Sequence, residues 1–242
     1  MNRLSERDLQ AFHARGFLEI RRPVLSPARF SRLATLFEEL LQHYGPDDLN
    51  MIHIREPALL EFLLADEVLD LVEAIVGPDI GLWSSHFIVK PPHVGRITPW
   101  HEDRAYWDGR ISTMDGIVTI WLAIDPTDVS NGSMGVIPGT HLRSGWNYEN
   151  VDIGDNIFNI RIRPDEVDES QACYFTLDRN QCSLHDARLV HGAQVNSSPR
   201  RRAGYTMRYF PTSSHVPMDK NPGHALWLAR GRDRAGNEYR NA

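Results

Sequence analysis

Apolar residues recur every three or four places through the first third of the chain, then give way to short alternating runs. Ser5, with Asp8 three places on, fits a capping box; Leu9 and Phe12 follow at helical spacing, which predicts a helix to about Arg15, stopped by Gly16. Phe17 to Ile20 reads as a strand leading to Val24. Ser26 and Pro27 form an N-cap and first-turn pair, and Phe30, Leu33, Leu36, Phe37, Leu40 and Leu41 predict an amphipathic helix ending near Gly45. A second helical region runs from about Pro57 to Val76 and ends at Gly77-Pro78.

From Ile80 onward the runs are short, β-rich and punctuated by Gly, Pro and Asn. Strands are expected at Ile80 to Lys90, Ile97 to His101, Gly116 to Ile124, Ser133 to Ile137, Ala172 to Leu177, Gln181 to His185, Leu189 to Gln194 and Ala203 to Phe210. That number of short strands suggests a β-sandwich or jelly roll, with the early helices covering one sheet. Residues 142–170 are weakly periodic and acidic (Glu149, Asp152, Asp155, Asp165, Glu166, Asp168, Glu169), a composition that suits an active-site lid and a solvated insertion equally. The polar tail from about Arg230 to Ala242 is expected to fray.

Composition narrows the partner. At 242 residues the chain can bury a full core, and one domain is expected: a helical part at about 1–78, a core at about 80–212 and the tail. A net charge of −6 gives no electrostatic reason to seek nucleic acid or an anionic membrane, and the run Arg200 to Arg202 is too short to track phosphates. No apolar stretch predicts a signal peptide or a span. Cys173 and Cys182 lack zinc-site spacing and are expected as reduced thiols. A cytoplasmic monomer or small homo-oligomer acting on a small molecule is the expectation.

The chemistry concentrates in TPWHEDRAYW, Thr98 to Trp107. His101 and Asp103 are two residues apart, and alternate strand residues share a face, so both can address one divalent metal. A third ligand is sought in SLHDARLVHGAQVN. His191, with small neighbours Gly192 and Ala193, is favoured over His185, which would sit at a strand end before a turn at Asp186 to Arg188. Two imidazoles and a carboxylate leave positions open, as suits non-haem Fe(II); zinc hydrolysis competes, although Glu102, its one candidate base, should face away by alternation.

The segments KPP (Lys90 to Pro92), TPWHED, VTIWLAIDPTDVSNGSMGVIPGTH, LVHGAQVN and RAGYTMRY together resemble the phytanoyl-CoA dioxygenase family of Fe(II)- and 2-oxoglutarate-dependent oxygenases, in that family's order and across roughly half the chain. The resemblance implies a double-stranded β-helix (jelly-roll, cupin-like) core and His101, Asp103 and His191 as iron ligands. It implies Arg202 as the clamp for the far carboxylate of 2-oxoglutarate, its register fixed by Arg208-Tyr209, with Arg200 and Arg201 in a solvated turn. Trp121 matches a position beside the cosubstrate, while His86 and His53 fall where the family places pocket side chains of varying type; each of the three also reads as a core residue. Ala193 stands where some members carry a hydroxyl.

What the resemblance implies for the reaction is consumption of O₂ and 2-oxoglutarate, release of succinate and CO₂, and oxidation of a C–H bond. Relatives that halogenate replace the carboxylate ligand by a small residue; Asp103 therefore favours hydroxylation, or the related desaturation or ring formation. A non-catalytic metal-binding jelly-roll protein is the competing class, against which Arg202 speaks. Arg104, Tyr106, Trp107 and residues near Trp146 to Phe158 are candidate walls of the substrate pocket. The acidic 142–170 segment suits a neutral or amine-bearing natural-product scaffold better than a polyanion.

Overall fold

The computed structural model describes residues 3–93, 96–152, 154, 156 and 158–241. Ser5 caps α1 (Glu6–Arg15): its Oγ accepts from the Asp8 amide and the Asp8 carboxylate accepts from the Ser5 amide. Gly16, at φ 82°, closes the helix in the left-handed region, and β1 (Phe17–Ile20) follows at once. Ser26 caps α2 (Pro27–Tyr44), whose buried face is Phe30, Leu33, Phe37 and Leu40. The single helical region expected at 57–76 is instead a 3₁₀ turn at Pro57–Leu59, then α3 (Leu60–Leu63) and α4 (Asp66–Val76), separated where Ala65 is extended. The break leaves the Leu63 carbonyl free for the buried Tyr209 hydroxyl at 2.8 Å. Apolar periodicity survives because both helices face the same sheet.

The strands are β2 (Ile80–Lys90), β3 (Thr98–His101), β4 (Val118–Ala123), β5 (Met134–Val136), β6 (Tyr148–Asn150), β7 (Ile160–Ile162), β8 (Cys173–Tyr174), β9 (Cys182–Asp186), β10 (His191–Ala193), β11 (Arg202–Pro211) and β12 (Trp227–Arg230), with a one-turn helix α5 (Arg104–Trp107) after β3. They form a six-stranded sheet, β1-β9-β4-β11-β2-β12, facing a four-stranded sheet, β3-β10-β5-β8, with all ladders antiparallel. This is the jelly-roll core with helices on one sheet. Alternation divides β11: Ala203, Tyr205, Met207 and Tyr209 pack outward with the helices, while Arg202, Thr206 and Arg208 line the interior. In β2 the parity changes at a bulge between Leu82 and Ser84, opposite Arg208/Tyr209, so Trp83 and Ser84 both reach the interior.

Three short strands exceed the sequence expectation. β6 and β7 form a hairpin inside the acidic segment, and β12 adds an edge beside β2; each is three or four residues long, too short for alternation to stand out from its loops. The tail does not fray. Arg230 reaches Asp66, Asp70 and Glu73 on α4, and the Arg240 amide donates to the Leu226 carbonyl. The Asn237 amide accepts from the Val216 N–H at 2.8 Å and donates to the Ser214 carbonyl at 3.0 Å. A frayed tail would make Asn237 irrelevant to stability; instead Asn237→Ala should lower unfolding free energy by about 1–3 kcal/mol, read as a lower urea midpoint at unchanged slope.

On the helical side of the large sheet, fully buried His53 meets the Ser85 hydroxyl through Nδ1 at 2.8 Å and lies edge-on to Trp227. Burial pushes its pKa down to about 4, so the folded protein keeps the ring neutral. The unfolded chain takes up the proton near pH 6.5, so the unfolded state binds more protons between those values. This contribution is fully present above pH 6.5 and is lost as pH falls toward 4. Urea unfolding at pH 7 and pH 5 should show a drop that His53→Gln reduces, by on the order of 1–2 kcal/mol.

Candidate metal and cosubstrate site

Register, rather than sequence proximity, assembles the candidate ligands. β3 pairs with β10 so that His101 lies directly opposite His191, ring centroids 4.2 Å apart. β3 ends at His101, so strand alternation does not aim Asp103 as expected; Asp103 has helical angles (φ −57°, ψ −33°) at the start of α5, and the following Arg104 amide donates to the Ala187 carbonyl at 2.9 Å. The turn brings Asp103 to the two histidines all the same, with one ligand atom from each of the three within 4.8 Å of the others. Glu102 points away and accepts from the Tyr148 hydroxyl at 2.6 Å.

The donor chemistry fits a divalent metal. His101 Nδ1–H donates to the Pro99 carbonyl at 2.7 Å and His191 Nδ1–H to the Leu189 carbonyl at 2.9 Å, which leaves both Nε2 lone pairs for a ligand. Burial holds both rings below the ordinary histidine pKa, so they are neutral. Burial alone would raise Asp103, but Arg208 beside it, together with His185 and His191, outweighs this and holds the carboxyl well below its usual range. Asp103 Oδ2 also accepts from Thr119 Oγ1 at 3.0 Å. An N,N,O set of this kind, with room on one side, suits a borderline divalent cation such as Fe(II).

Arg202, on the interior face of β11, lines the same chamber. It is buried, its guanidinium lies 4.7 Å from the Trp121 ring centroid, and its Nε and one terminal nitrogen have no hydrogen-bond partner among the described residues. Burial pushes its pKa down to about 10, so it still carries its charge near neutrality. An unpartnered buried cation is costly unless an anion completes it. Gly204 makes the arrangement possible: a Cβ there would lie 1.9 Å from the Trp121 ring. Ala193 lines the chamber with a methyl group, and Lys90 ties the far end of β10 to β2 by donating to the Gln194 carbonyl at 2.6 Å.

The remaining candidates separate. His86 lines an adjoining chamber of about 210 Å³ together with Tyr106 and Trp107; Arg104 lines neither chamber, and His53 lies behind the sheet. His185, the alternative third ligand, is not in the candidate ligand cluster; it lines the chamber with its Nε2 3.8 Å from Asp103 Oδ2 and with neither ring nitrogen hydrogen-bonded to a described residue. Arg201 is not a free turn residue, since it holds Asp125 and Glu38, and Arg200 holds Asp128. The sequence reading missed Thr119 and used Arg208 only as a register mark. Interior parity was the available signal: Thr119 shares a face with Trp121, and Arg208 with Arg202.

The 142–170 segment reaches the site. Phe158 lies edge-on to His101 at 4.8 Å and tilted against Tyr106 at 5.1 Å, and borders both chambers. Three of its acids pair with arginines of the same segment: Glu149 with Arg161, Glu166 with Arg143 and Asp165 with Arg163. Asp155 lies outside the described residues.

The model of the phytanoyl-CoA dioxygenase (PhyH) family matches residues 12–204. Peroxisomal phytanoyl-CoA dioxygenase of Mus musculus is 33% identical over 206 residues, 81% of this chain and 60% of that protein. A probable alpha-ketoglutarate-dependent hypophosphite dioxygenase of Stutzerimonas stutzeri is 30% identical over 152 residues, 62% of this chain and 52% of that one. The chain therefore spans between 52 and 60% of the length of the first curated relatives it matches. Among solved structures, the non-heme alpha ketoglutarate dependent carbocyclase from nogalamycin biosynthesis superposes with a TM-score of 0.73 at 22% identity, covering 88% of this chain and 86% of that one, a likeness of fold. Motif order, fold and a histidine-aspartate-histidine cluster beside a buried arginine agree with that match, and the chain belongs to the phytanoyl-CoA dioxygenase family of iron(II)- and 2-oxoglutarate-dependent oxygenases.

Proposed function

We propose that this chain hydroxylates an unactivated C–H bond of a small molecule, with 2-oxoglutarate and O₂ as cosubstrates and succinate and CO₂ as by-products. The observation that carries the reading is Arg202: a charged, buried guanidinium whose Nε and one terminal nitrogen find no acceptor among the described residues, in the chamber lined by His101, Asp103 and His191. His101, Asp103 and His191 would hold Fe(II), which when bound supplies the oxidising chemistry. Arg202 would pair with the distal carboxylate of 2-oxoglutarate, since a planar guanidinium matches a carboxylate bidentately. Trp121 fixes the guanidinium plane from below, and Thr119 with Arg208 holds the Asp103 carboxylate ionised and oriented. Phe158 and Tyr106 pack edge-on against His101 and would shield the chamber from water.

Asp103 favours hydroxylation because a carboxylate fills the coordination position that halogenating relatives leave to a halide. Tailoring of a natural product is supported by likeness of fold to the carbocyclase of nogalamycin biosynthesis, whose ring-forming reaction marks desaturation and cyclisation as outcomes to score beside hydroxylation.

Anaerobic calorimetry with Fe(II) should show 2-oxoglutarate binding that Arg202→Ala weakens about thirtyfold or more, because truncation removes one partner of a buried charge pair. Asp103→Ala should abolish substrate-dependent succinate release. Wild-type turnover in Asp103→Ala, or undiminished 2-oxoglutarate affinity in Arg202→Ala, would sink the reading.

A further inference from the structure

Beside the metal chamber, and sharing Asp103, Arg208 and Phe158 with it, lies the second chamber of about 210 Å³. Its walls are aromatic, with Trp83 and Trp107 meeting edge-to-face at 6.2 Å. One guanidinium lies against each tryptophan: Arg110 is 5.3 Å from the Trp83 ring and Arg208 5.4 Å from the Trp107 ring. Asp103 is the only acid lining the space among the described residues, and it belongs to the metal cluster. The other titratable side chains there are Tyr106, His86 and His224; burial holds both imidazoles neutral, so the positive charge comes from the arginines.

Both arginines are placed with hydrogen-bonding capacity to spare. Arg208 comes within 3.6 Å of Asp103 Oδ2 but gives no hydrogen bond to any described residue, and its buried Nε is unpartnered. Among the described residues Arg110's side chain gives only Nε–H, to Asn221 Oδ1 at 2.9 Å. Asn221 is itself fully buried and fixed, since its amide donates to the Arg110 and Pro217 carbonyls at 2.9 and 2.8 Å. A side chain oriented by a buried amide, stacked on an indole and left with its terminal N–H groups unused is a prepared half of an ion pair.

The geometry points to an anionic substrate: a molecule with an aromatic or other flat apolar body and a carboxylate or phosphonate-type group, held in this chamber by Arg110 and Arg208 with its oxidisable carbon toward Asp103. This deepens the oxygenase reading and rests on it. It reverses the preference for a neutral or amine-bearing molecule drawn from the acidic 142–170 segment: among the described residues the chamber's lining includes none of that segment's acids, and three of them are neutralised by arginines of the same segment.

The test uses the full chain loaded anaerobically with Mn(II) and saturated with 2-oxoglutarate, so that Arg202 is occupied. Calorimetric titration with benzoate, phenylphosphonate and benzylamine compares three charges on one ring. At least one of the two anions should bind about tenfold or more tighter than the amine, and the better of them tells carboxylate from phosphonate. Arg110→Gln should cost that anion about tenfold or more, and Arg110→Glu should turn the preference toward benzylamine. The inference falls if benzylamine binds as tightly as both anions, if none of the three binds at millimolar concentration, or if both Arg110 variants keep wild-type anion affinity. The preliminary 2-oxoglutarate titration is a separate readout: its failure strikes the reading of Arg202, while its success with an amine preference strikes this inference alone.

Discussion

The interior of the roll buries more polar groups than the protein satisfies, and the rest of the structure follows from that. Arg202, Arg208 and His185 all end inside the barrel with nitrogens that no described residue accepts or donates to. Groups in such a state cost several kcal/mol in a closed apolar core. They are tolerable on the proposed reading, in which the interior is a site to be filled and anions would take the guanidinium N–H groups beside a metal held by His101, Asp103 and His191. The chain holds its charges in a low-dielectric space where each will act strongly on whatever enters.

Stability therefore comes from elsewhere. The outward face of the large sheet carries Val118, Ile120, Leu122, Tyr205, Met207 and Tyr209, and α2 and α4 cover it with Phe37, Leu40, Val68, Leu71 and Val72. This contiguous apolar layer contributes the burial that the interior cannot. His53 belongs to that layer, which explains why a histidine near a pocket position in sequence stands on the wrong side of the sheet from any ligand. One sheet thus divides the labour: apolar residues on one face hold it, and polar residues on the other do the chemistry.

Helix starts, strand positions and the three residues of the histidine-aspartate-histidine cluster could be read because each rests on local chemistry. Ser5 and Ser26 cap where the spacing places them, and the His-x-Asp pair with His191 and Arg202 carries an oxygenase signature even in one dimension. The β6–β7 hairpin and β12 could not be read, since strands this short owe their existence to a neighbouring edge more than to their own alternation. The tail was legible only as polar, because Asn237 and Arg230 earn their places through partners twenty or more residues away.

By itself the sequence determined the order of elements and the apolar faces and singled out His101, Asp103, His191 and Arg202 as candidates, because residue type and spacing decide those. Only the tertiary structure decided which histidines meet. The β3–β10 register sets His101 against His191, and a helical turn, not a strand, delivers Asp103. It also decided the sign of the second chamber. The bulge at Trp83 and the fixing of Arg110 by Asn221, 111 residues away, bring cations to one cavity, while Glu149, Asp165 and Glu166 turn to arginines of their own segment. Charge in a sequence is a sum, whereas charge in a pocket depends on which side chains the backbone turns inward.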